Sequence, residues 1–303
     1  MKTLLGIVTF GNLPFTQLAI NGIREQVIQA GHFLDIFGIV GKPGDSETQE
    51  WFFKNGVASL RHGANHGFPA SLNDIMDQAF RNGHMDGGPA GPPYLGRYDN
   101  LILMGNDVVP YPGALDAMME CAATTDWEWI CASQYDVKSL VRDHPETARF
   151  FDGPDFKFTD FAARPWDAHG GQFIRPPGIS PNSKADVRNL CLFKRSVFEK
   201  LGYADVNFWP GGYFEDNDYC RRADLAGIRG CTLDHAAYFH FWSRTIKQGD
   251  GTKAAQFERN RQYYTEKWGG PVGGETVPRS IHNLIRIPTR ASEADIIKHW
   301  SGL

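Results

Sequence analysis

Residues 4–12 read LLGIVTFGN, a short apolar run that stops at a Gly-Asn pair. A run of this length with such an end is typical of a buried strand. Behind Pro14, apolar residues recur at three- and four-residue steps, which predicts an amphipathic helix ending at Gly31. Residues 33–40, FLDIFGIV, form the next apolar run and predict a second strand. The chain therefore opens as strand, helix and strand.

The same alternation continues through the first half of the chain. Strands that alternate with helices across short Gly-rich joints predict an α/β fold with a mostly parallel sheet flanked by helices. Ligands bind such sheets beyond the carboxyl ends of the strands, where we expect three polar segments to converge. These segments are Thr9-Phe10-Gly11, Val40-Gly41-Lys42 and Gly105-Asn106-Asp107. The predicted elements are helices near 47–55 and 72–80 and strands at 58–61, 101–104 and 129–132.

The second half of the chain is less regular. Residues 142–184 are rich in aromatic and charged residues without periodicity, and we interpret them as an elaborated region over the site. Regular patterns return after that region, and the end of the chain from Gly269 is interpreted as a wrapping tail. The predicted later strands lie at 186–193 and 236–241. The predicted later helices lie near 196–201, from the stretch 211–222 to about Leu225, and over 253–268.

Composition narrows the classes of function. The 303 residues carry 31 basic and 35 acidic side chains, a net charge of −4, which argues against non-specific nucleic-acid binding. Five cysteines without a C-x-x-C pair argue against a disulfide scaffold or a zinc ribbon, and they fit a reducing cytoplasm. No apolar stretch approaches the ~18–20 residues of a membrane span. We therefore expect a soluble, cytoplasmic protein.

One acidic position lies at the end of the stretch LILMGND, residues 101–107, behind an apolar strand. The strand ends in Asn106 and Asp107. An aspartate at such a place is either a turn residue that bonds its own backbone or an oxygen ligand for a hard cation. The sequence alone leaves both interpretations open.

A second acidic stretch is GGYFEDNDYCRR, residues 211–222. Acids at a helix start complement the helix dipole by about 0.3–1 kcal/mol each. Asp218 can also pair with Arg222, four residues further on. These effects do not explain why Glu215 and Asp216 follow the sequence WPGG, a flexible approach that suits a substrate.

Two other stretches contain residues with both a structural and a functional interpretation. In GANHGFPASLND, Asn65 and Gly67 lie in a loop before a helix, and Asn73 lies one turn inside it. A turn and an exposed polar position explain them without a ligand. His240 falls in the aromatic strand AAYFHF, where a lone histidine is more often a core residue than a ligand.

In order and spacing, these motifs together resemble the GT-A-fold glycosyltransferases of the large inverting family 2, which use nucleotide-diphosphate sugars. The resemblance covers about residues 2–245. It rests on VTFGN after strand one, N-x-G-F-x-x-x-x-N at 65–73, GND in place of the D-x-D-like motif, E-D-x-D-x-x-x-R at 215–222, and the late His240.

The resemblance implies a GT-A domain over residues 1–245, with a nucleotide-sugar half at 1–135 and an acceptor half at 136–245. Residues 246–303 would be a C-terminal helix and wrapping tail. On the donor side it implies Mn²⁺ or Mg²⁺ on the diphosphate and, as donor, a nucleotide-diphosphate sugar, with UDP-sugars favoured. The implied donor residues are Thr9, Phe10 and Gly11 at the base, Asn65, Gly67 and Asn73 around the nucleotide, Asn106 at the ribose or sugar, and Asp107 with His240 at the metal.

For catalysis the resemblance implies an inverting transfer to an acceptor hydroxyl. Asp216 would be the general base, Glu215 would contact the acceptor or donor sugar, and Arg222 would hold the helix start in place. The acceptor side would include Trp209, Gly211, Gly212 and Trp242.

Two features depart from the family pattern. Gly41-Lys42 stands where the family usually has an acid after strand two, which bears on uridine recognition. Asn106 replaces the commoner second acid, so Asp107 is the single carboxylate of the metal motif. A weaker or differently assembled metal site would follow.

Alternative functions differ in what the sequence would need. A nucleotidyltransferase would have an early basic residue in a Gly-rich signature, and a dehydrogenase would have G-x-G-x-x-G; neither is present. A catalytically inactive sugar- or nucleotide-binding protein stays open because of Asn106. The expected acceptor is a glycan or glycoconjugate. A hydroxymethylated DNA base is a less favoured acceptor, suggested by aromatic and basic residues in 161–175.

Overall fold

A single sheet organises the chain. The computed structural model describes residues 1–81, 98–135, 179–181, 189–208, 212–241, 253–277, 282–292, 294–296 and 298. Nine strands within these ranges join in one sheet. They are β1 (Lys2–Thr9), β2 (Phe33–Val40), β3 (Ala58–Arg61), β4 (Asn100–Gly105), β5 (Val108–Pro110), β6 (Trp129–Tyr135), β7 (Ile179–Pro181), β8 (Leu190–Lys194) and β9 (Gly230–His240).

The strand order is β3-β2-β1-β4-β8-β6-β9-β5, with β7 also paired to β9. Strands β3, β2, β1 and β4 are parallel, and β6 is parallel to β9. The pairings of β5, β7 and β8 are antiparallel. The prediction of an α/β fold is confirmed, but the sheet is more mixed than the predicted mostly parallel one. One reason is that β8 begins at the edge of the sheet where β4 ends, so β8 runs antiparallel to β4.

Helices cover both faces of the sheet. Because side chains alternate along a strand, neighbours such as Leu4 and Leu5 enter different core clusters. Helices α1, α2 and α4 pack on one face, and α3, α5, α6 and α8 pack on the other. The helices are α1 (Leu13–Arg24), α2 (Ser46–Lys54), α3 (Gly67–Phe80), α4 (Ala114–Thr124), α5 (Arg195–Leu201), α6 (Glu215–Leu225), α7 (Lys253–Trp268) and α8 (His282–Ile285).

Helix α1 ends earlier than the sequence predicts, at Arg24 and not at Gly31. The side chain of Gln26 explains the difference. Its amide nitrogen donates to the carbonyl of Gly22 at 3.1 Å, and its oxygen accepts from the backbone N–H of Gly113 at 3.0 Å. The chain therefore leaves α1 here, and Gln26 contacts the residue that precedes α4. Helix α4 was not among the predicted elements.

The C-terminal region is tied to the rest of the fold. Ile287 exchanges two backbone hydrogen bonds with residues 201–203, both at 2.9 Å. Tyr264 and Trp268 of α7 are buried against Phe208. Among the described residues, no helix has the length and apolarity needed to cross a bilayer.

A fully buried arginine connects α6 with two other segments of the chain. Arg222 donates from Nε to Asp218 Oδ2 at 3.1 Å, one turn earlier in α6. Its terminal nitrogens donate to backbone carbonyls at 3.1 Å (Leu201), 2.7 Å (Tyr203) and 3.4 Å (Ile285). The guanidinium thus fixes α6 against the segment after α5 and against α8.

The other oxygen of the same carboxylate faces α7. Trp268 donates from its indole nitrogen to Asp218 Oδ1 at 2.9 Å, and the Lys267 ammonium lies 2.7 Å from that oxygen. Lys267 also pairs with the buried Asp205. Two acids and two bases therefore balance in the interior, as buried charge requires.

We expect Arg222→Met to lower the free energy of unfolding by about 3–5 kcal/mol, because it leaves three carbonyls and half of a buried ion pair without their partner. Arg229→Met is the matched control. Arg229 pairs with Asp126 at the exposed surface, so its loss is expected to cost less than about 1 kcal/mol. Urea unfolding followed by tryptophan fluorescence measures both variants. Equal losses would contradict the assigned role.

Candidate functional site

The ends of β1 and β2 meet the start of α3 at one edge of the sheet. The backbone N–H of Gly41 donates to the carbonyl of Thr9 at 2.8 Å. A methyl group at Gly41 would lie 3.3 Å from that carbonyl, 3.6 Å from the Phe10 ring and 3.7 Å from the Ser71 hydroxyl. Glycine is therefore the residue that permits this close approach. Two of the three segments predicted to converge, those at the ends of β1 and β2, therefore meet here.

An aromatic ring and a cation are exposed at this edge. Phe10 is 39% exposed, whereas Thr9 beside it is fully buried. Gly11 has a φ of +75°, and a Cβ there would lie 3.2 Å from Cδ of Lys42. The stem of Lys42 therefore lies over Gly11. A flat apolar surface and a positive charge result at the ends of β1 and β2.

Asn106 joins β4 to the same edge. Its amide nitrogen donates to the hydroxyl of Thr16 at 3.3 Å and to the carbonyl of Gly11 at 3.5 Å, and the side chain is 6% exposed. The sequence predicted that Asn106 faces a ribose or sugar. This stays a prediction; the amide nitrogen itself bonds protein groups, because the ends of β1 and β4 are neighbours.

Asp107 and His240 face each other next to Asn106. The β5–β9 ladder pairs Val108 with His240, and the Asp107 carbonyl accepts from the N–H of Phe241 at 2.9 Å. This register brings Asp107 Oδ1 to 3.4 Å from His240 Nε2. Both side chains are nearly buried, with 11% and 12% of their surface exposed.

Asn189 approaches the other side of the imidazole. Its amide nitrogen lies 3.1 Å from His240 Nδ1, so the amide donates and Nδ1 accepts. The ring proton of the neutral imidazole is then on Nε2, directed at Asp107. Sequence inspection had not identified Asn189, which lies 51 residues from His240 along the chain.

The Asp107–His240 pair fits a divalent cation in part. Adjacent ligands of an octahedral ion with bonds of about 2.1 Å lie about 3 Å apart, close to the observed 3.4 Å. A carboxylate and an imidazole are both ligands of first-row divalent metals. In the part of the chain that the structure describes, no group of three His, Cys, Asp or Glu side chains could hold a metal. Two protein ligands therefore leave most coordination positions to other groups.

The acidic stretch begins with an unusual backbone. Gly212, Tyr213 and Phe214 have φ angles of 81°, 76° and 69°, all in the left-handed region. For a residue other than glycine, this conformation costs on the order of 1–3 kcal/mol and persists only when neighbouring groups hold it. Helix α6 then begins at Glu215, with Phe214 at the N-cap position and no capping side chain.

Residues of α7 hold this strained loop. Asn260, 1% exposed, donates from its amide nitrogen to the carbonyls of Gly212 at 2.7 Å and Tyr213 at 3.1 Å. The ring of Phe257 contacts those of Tyr213 and Phe214, with centroids 5.2 and 5.1 Å apart. No local sequence pattern marks Asn260, because the residues that it bonds lie 47 and 48 positions away along the chain.

The two acids at the start of α6 differ in their environment. Oε2 of Glu215 is buried, and the described residues offer it no hydrogen-bond partner. Burial, and then the adjacent charge of Asp216, raise the pKa of Glu215 from 4.5 to about 8. Asp216 instead accepts from the backbone N–H of Asn217 at 2.8 Å. The start of α6 therefore presents a protonated carboxyl beside an aspartate at neutral pH.

The structure places the remaining predicted residues as follows. Asn65 is exposed and accepts from the N–H of Gly67 at 3.0 Å, in the turn that opens α3. Asn73 is 1% exposed, and its amide bonds the backbone N–H and carbonyl of Ala204 at 2.7 and 3.1 Å. The donor-side role of Asn73 stays a prediction; in the structure its polar atoms anchor the segment at Ala204. Trp209, Gly211 and Trp242 lie outside the described residues.

Sequence comparison adds no relative to this picture: no protein-family model and no curated protein matches the chain. Comparison with solved structures does find similar proteins. A fragment of TarS from S. aureus, residues 1–349, aligns over 94% of this chain and 69% of its own, at 10% identity and a TM-score of 0.53. Against a longer TarS chain the match covers 42% of that protein.

Two further solved structures are similar to this chain. Glucosyl-3-phosphoglycerate synthase from Mycobacterium tuberculosis, solved with Mn²⁺ and UDP, aligns over 90% of this chain and 82% of its own, at 10% identity and a TM-score of 0.53. The mannosyltransferase PcManGT from Pyrobaculum calidifontis, solved with GDP-Man and Mn²⁺, aligns over 92% and 77%, at 11% identity and a TM-score of 0.50. These proteins are GT-A glycosyltransferases, so the predicted GT-A fold is confirmed.

We expect Glu215→Gln to gain stability relative to the wild type as the pH rises from 4.5 towards 8. In this window the unfolded glutamate is ionised while the folded carboxyl keeps its proton, so wild-type stability falls with rising pH. The difference corresponds to about 1.4 kcal/mol per unit of pKa shift. Urea unfolding at about pH 5 and about pH 8 measures it, with Gln262→Ala, which removes no titrating group, as baseline. A difference that is the same at both pH values would contradict the assignment.

Proposed function

We propose that the chain is a metal-dependent inverting glycosyltransferase, which moves a sugar from a nucleotide-diphosphate sugar to an acceptor hydroxyl. The observation that carries this proposal is the Asp107–His240 pair, 3.4 Å apart, at the sheet edge where β1, β2 and β4 end. Asparagine 106 links that pair to the loop after β1 through Gly11. The GT-A fold supports the proposal, because ligands of such sheets bind at this edge.

The donor nucleotide is assigned to the edge formed by β1 and β2. The exposed ring of Phe10 offers a stacking surface for a base, and Gly11 and Gly41 leave room for a close approach. The similar structures named above were solved with UDP or with GDP-Man, which supports a nucleoside diphosphate as the leaving group. UDP-sugars remain the favoured donors. Asn65 and Gly67, at the start of α3, would border the same nucleotide.

Asp107 and His240 would hold Mn²⁺ or Mg²⁺. When bound there, the cation would neutralise charge that develops on the departing diphosphate, a contribution of several kcal/mol. Coordination through Nε2 requires the ring proton of His240 to be on Nδ1. Asn189, 3.1 Å from Nδ1, can accept that proton in a hydrogen bond once its amide turns over. Asn189 can therefore support the imidazole with its ring proton on either nitrogen.

The acids of α6 are assigned to the acceptor side. As the acceptor oxygen bonds to the anomeric carbon, Asp216 takes the hydroxyl proton, the bond to the diphosphate breaks, and the nucleoside diphosphate leaves. Such a positioned base contributes about 10²–10⁴ in rate. Glu215 keeps its proton at neutral pH and can donate a hydrogen bond to an acceptor or donor sugar oxygen. Gly212, three residues before Glu215, is held by Asn260 at its carbonyl. Trp209, Gly211 and Trp242, predicted from the sequence for the acceptor, would complete this side.

The second candidate function is a sugar- or nucleotide-binding protein without turnover. Asn106 favours it, because an amide replaces a carboxylate beside Asp107 and its nitrogen is engaged by Thr16. The acceptor of the proposed enzyme is a glycan or glycoconjugate, with a hydroxymethylated DNA base as the less favoured choice.

Release of nucleoside diphosphate separates the two functions. UDP-, GDP- and dTDP-sugars are incubated with the protein and a mixture of glycan acceptors, with and without Mn²⁺. The proposal predicts Mn²⁺-dependent release from at least one donor. Binding of a sugar nucleotide, measured by thermal shift, without release from any donor would overturn the proposed function in favour of the binding protein.

We expect Asp216→Asn to lower kcat by about 10²–10⁴, because an amide cannot accept the acceptor proton. Donor affinity is expected to stay within a few-fold of the wild type, since Asp216 is assigned to the acceptor. Asp224→Asn, two turns further along α6, is the matched control and is expected to keep kcat. Steady-state kinetics and titration of the unreacted donor measure the two effects. An unchanged kcat, or loss of folding in Asp216→Asn, would contradict the assigned base.

We expect Asp107→Asn to weaken Mn²⁺-dependent donor binding as well as turnover, because a neutral amide is a poorer ligand for a hard cation. Donor affinity without Mn²⁺ should change little. Isothermal titration of UDP with and without Mn²⁺ tests this, and Asp116→Asn in α4 is the control. Equal Mn²⁺ dependence in wild type and Asp107→Asn would exclude Asp107 as a ligand.

A further inference from the structure

The strained loop before α6 needs an external restraint. Tyr213 and Phe214 adopt left-handed φ angles of 76° and 69° in succession, directly before Glu215 and Asp216. Both rings pack on Phe257 of α7, and α6 has no capping side chain at Phe214, so nothing within the loop itself supports the strained backbone. If the loop relaxed to right-handed angles, the first turn of α6 would rotate, and its two acids would move with it.

Asn260 supplies that restraint at the backbone. Its amide nitrogen donates to two successive carbonyls, of Gly212 at 2.7 Å and of Tyr213 at 3.1 Å. Two bonds from one nitrogen fix the orientation of both peptide groups that lead into the strained residues. The side chain is 1% exposed, so water does not compete for these carbonyls.

Helix α7 is held in place independently of Asn260. Trp268 donates to Asp218, Tyr263 donates to Asp205 at 2.9 Å, and Tyr264 donates to Glu275 at 2.7 Å. These contacts lie one to two turns from Asn260 in α7. Loss of the Asn260 amide therefore releases the loop while the helix that carries it stays docked.

We propose that Asn260 is a positioning residue for the acceptor-side acids: its two hydrogen bonds hold the left-handed loop 212–214 so that Asp216 meets the acceptor hydroxyl. This inference rests on the proposed function. Misplacement of a reacting group by about 1 Å can cost about 10²-fold in rate. Donor binding lies with the ends of β1, β2 and β4, so it should not depend on Asn260.

Asn260→Ala tests the inference, with Asn100→Ala as matched control. Asn100 is also a buried asparagine, 2% exposed, and its amide donates to the hydroxyl of Thr3 in β1. It lies at the start of β4, at the opposite edge of the sheet from the candidate site. The kcat and the donor KM are measured with the donor and acceptor that the wild type uses, together with urea unfolding. We expect both variants to lose stability. Only Asn260→Ala should lose kcat, by about 10- to 100-fold, with donor KM within about threefold.

A second pair of variants covers a failure of Asn260→Ala to fold. In a Tyr213→Gly chain, glycine adopts the left-handed angle without strain, so the loop needs less support. Adding Asn260→Ala to the Tyr213→Gly chain is expected to lower its kcat by about threefold or more, because Phe214 keeps its strained left-handed angle.

The outcomes are distinct. An active wild type with unchanged kcat in Asn260→Ala, or in the Tyr213→Gly pair, overturns this inference alone. A fall in kcat accompanied by an equal fall in donor affinity also overturns it, because that pattern indicates general damage. A wild type that releases nucleoside diphosphate from no donor overturns the proposed function and this inference with it.

Discussion

The buried ion pair between Asp218 and Arg222 is the interaction on which the arrangement of the site depends. A charge in the interior must be paired and hydrogen-bonded, which leaves this guanidinium one position, against three backbone carbonyls and one carboxylate. The same carboxylate binds Trp268 and Lys267 of α7. One pair of residues therefore fixes α6, α7, α8 and the segment after α5 relative to each other.

The candidate site divides into the edge where β1, β2 and β4 end, proposed to bind the donor, and the strained loop 212–214, proposed to face the acceptor. At the donor edge, glycines permit close backbone contacts, and Asn106 joins the ends of β1 and β4. At the acceptor side, the loop 212–214 is held from outside by Asn260. The proposed donor groups are placed by strand pairing, whereas the acids of α6 are placed by the packing of α7.

Much of the fold follows from local sequence. The apolar runs and their glycine ends predict β3 and α7 at the observed residues, because periodicity and turn residues are local signals. The antiparallel entry of β8 and the early end of α1 are not predictable in this way. Both depend on contacts with distant segments, such as that between Gln26 and Gly113.

The candidate site is predictable to a similar extent. Residues at the strand ends converge as predicted, since the register of a parallel sheet brings such ends to one edge. Asn73 shows the limit: its sequence context matches a motif, but its amide bonds the backbone of Ala204, 131 residues away. The contacts of Asn189 and Asn260 cannot be predicted from local sequence for the same reason. Their roles come from tertiary hydrogen bonds that no spacing encodes.

Anomalous diffraction from crystals soaked with Mn²⁺ and UDP would locate the proposed metal directly. We expect a manganese peak within bonding distance of Asp107 Oδ1 and His240 Nε2, with the diphosphate beside it and the carboxylate of Asp216 facing the same cavity. A peak elsewhere, or an Asp216 side chain that faces a separate part of the surface, would contradict it.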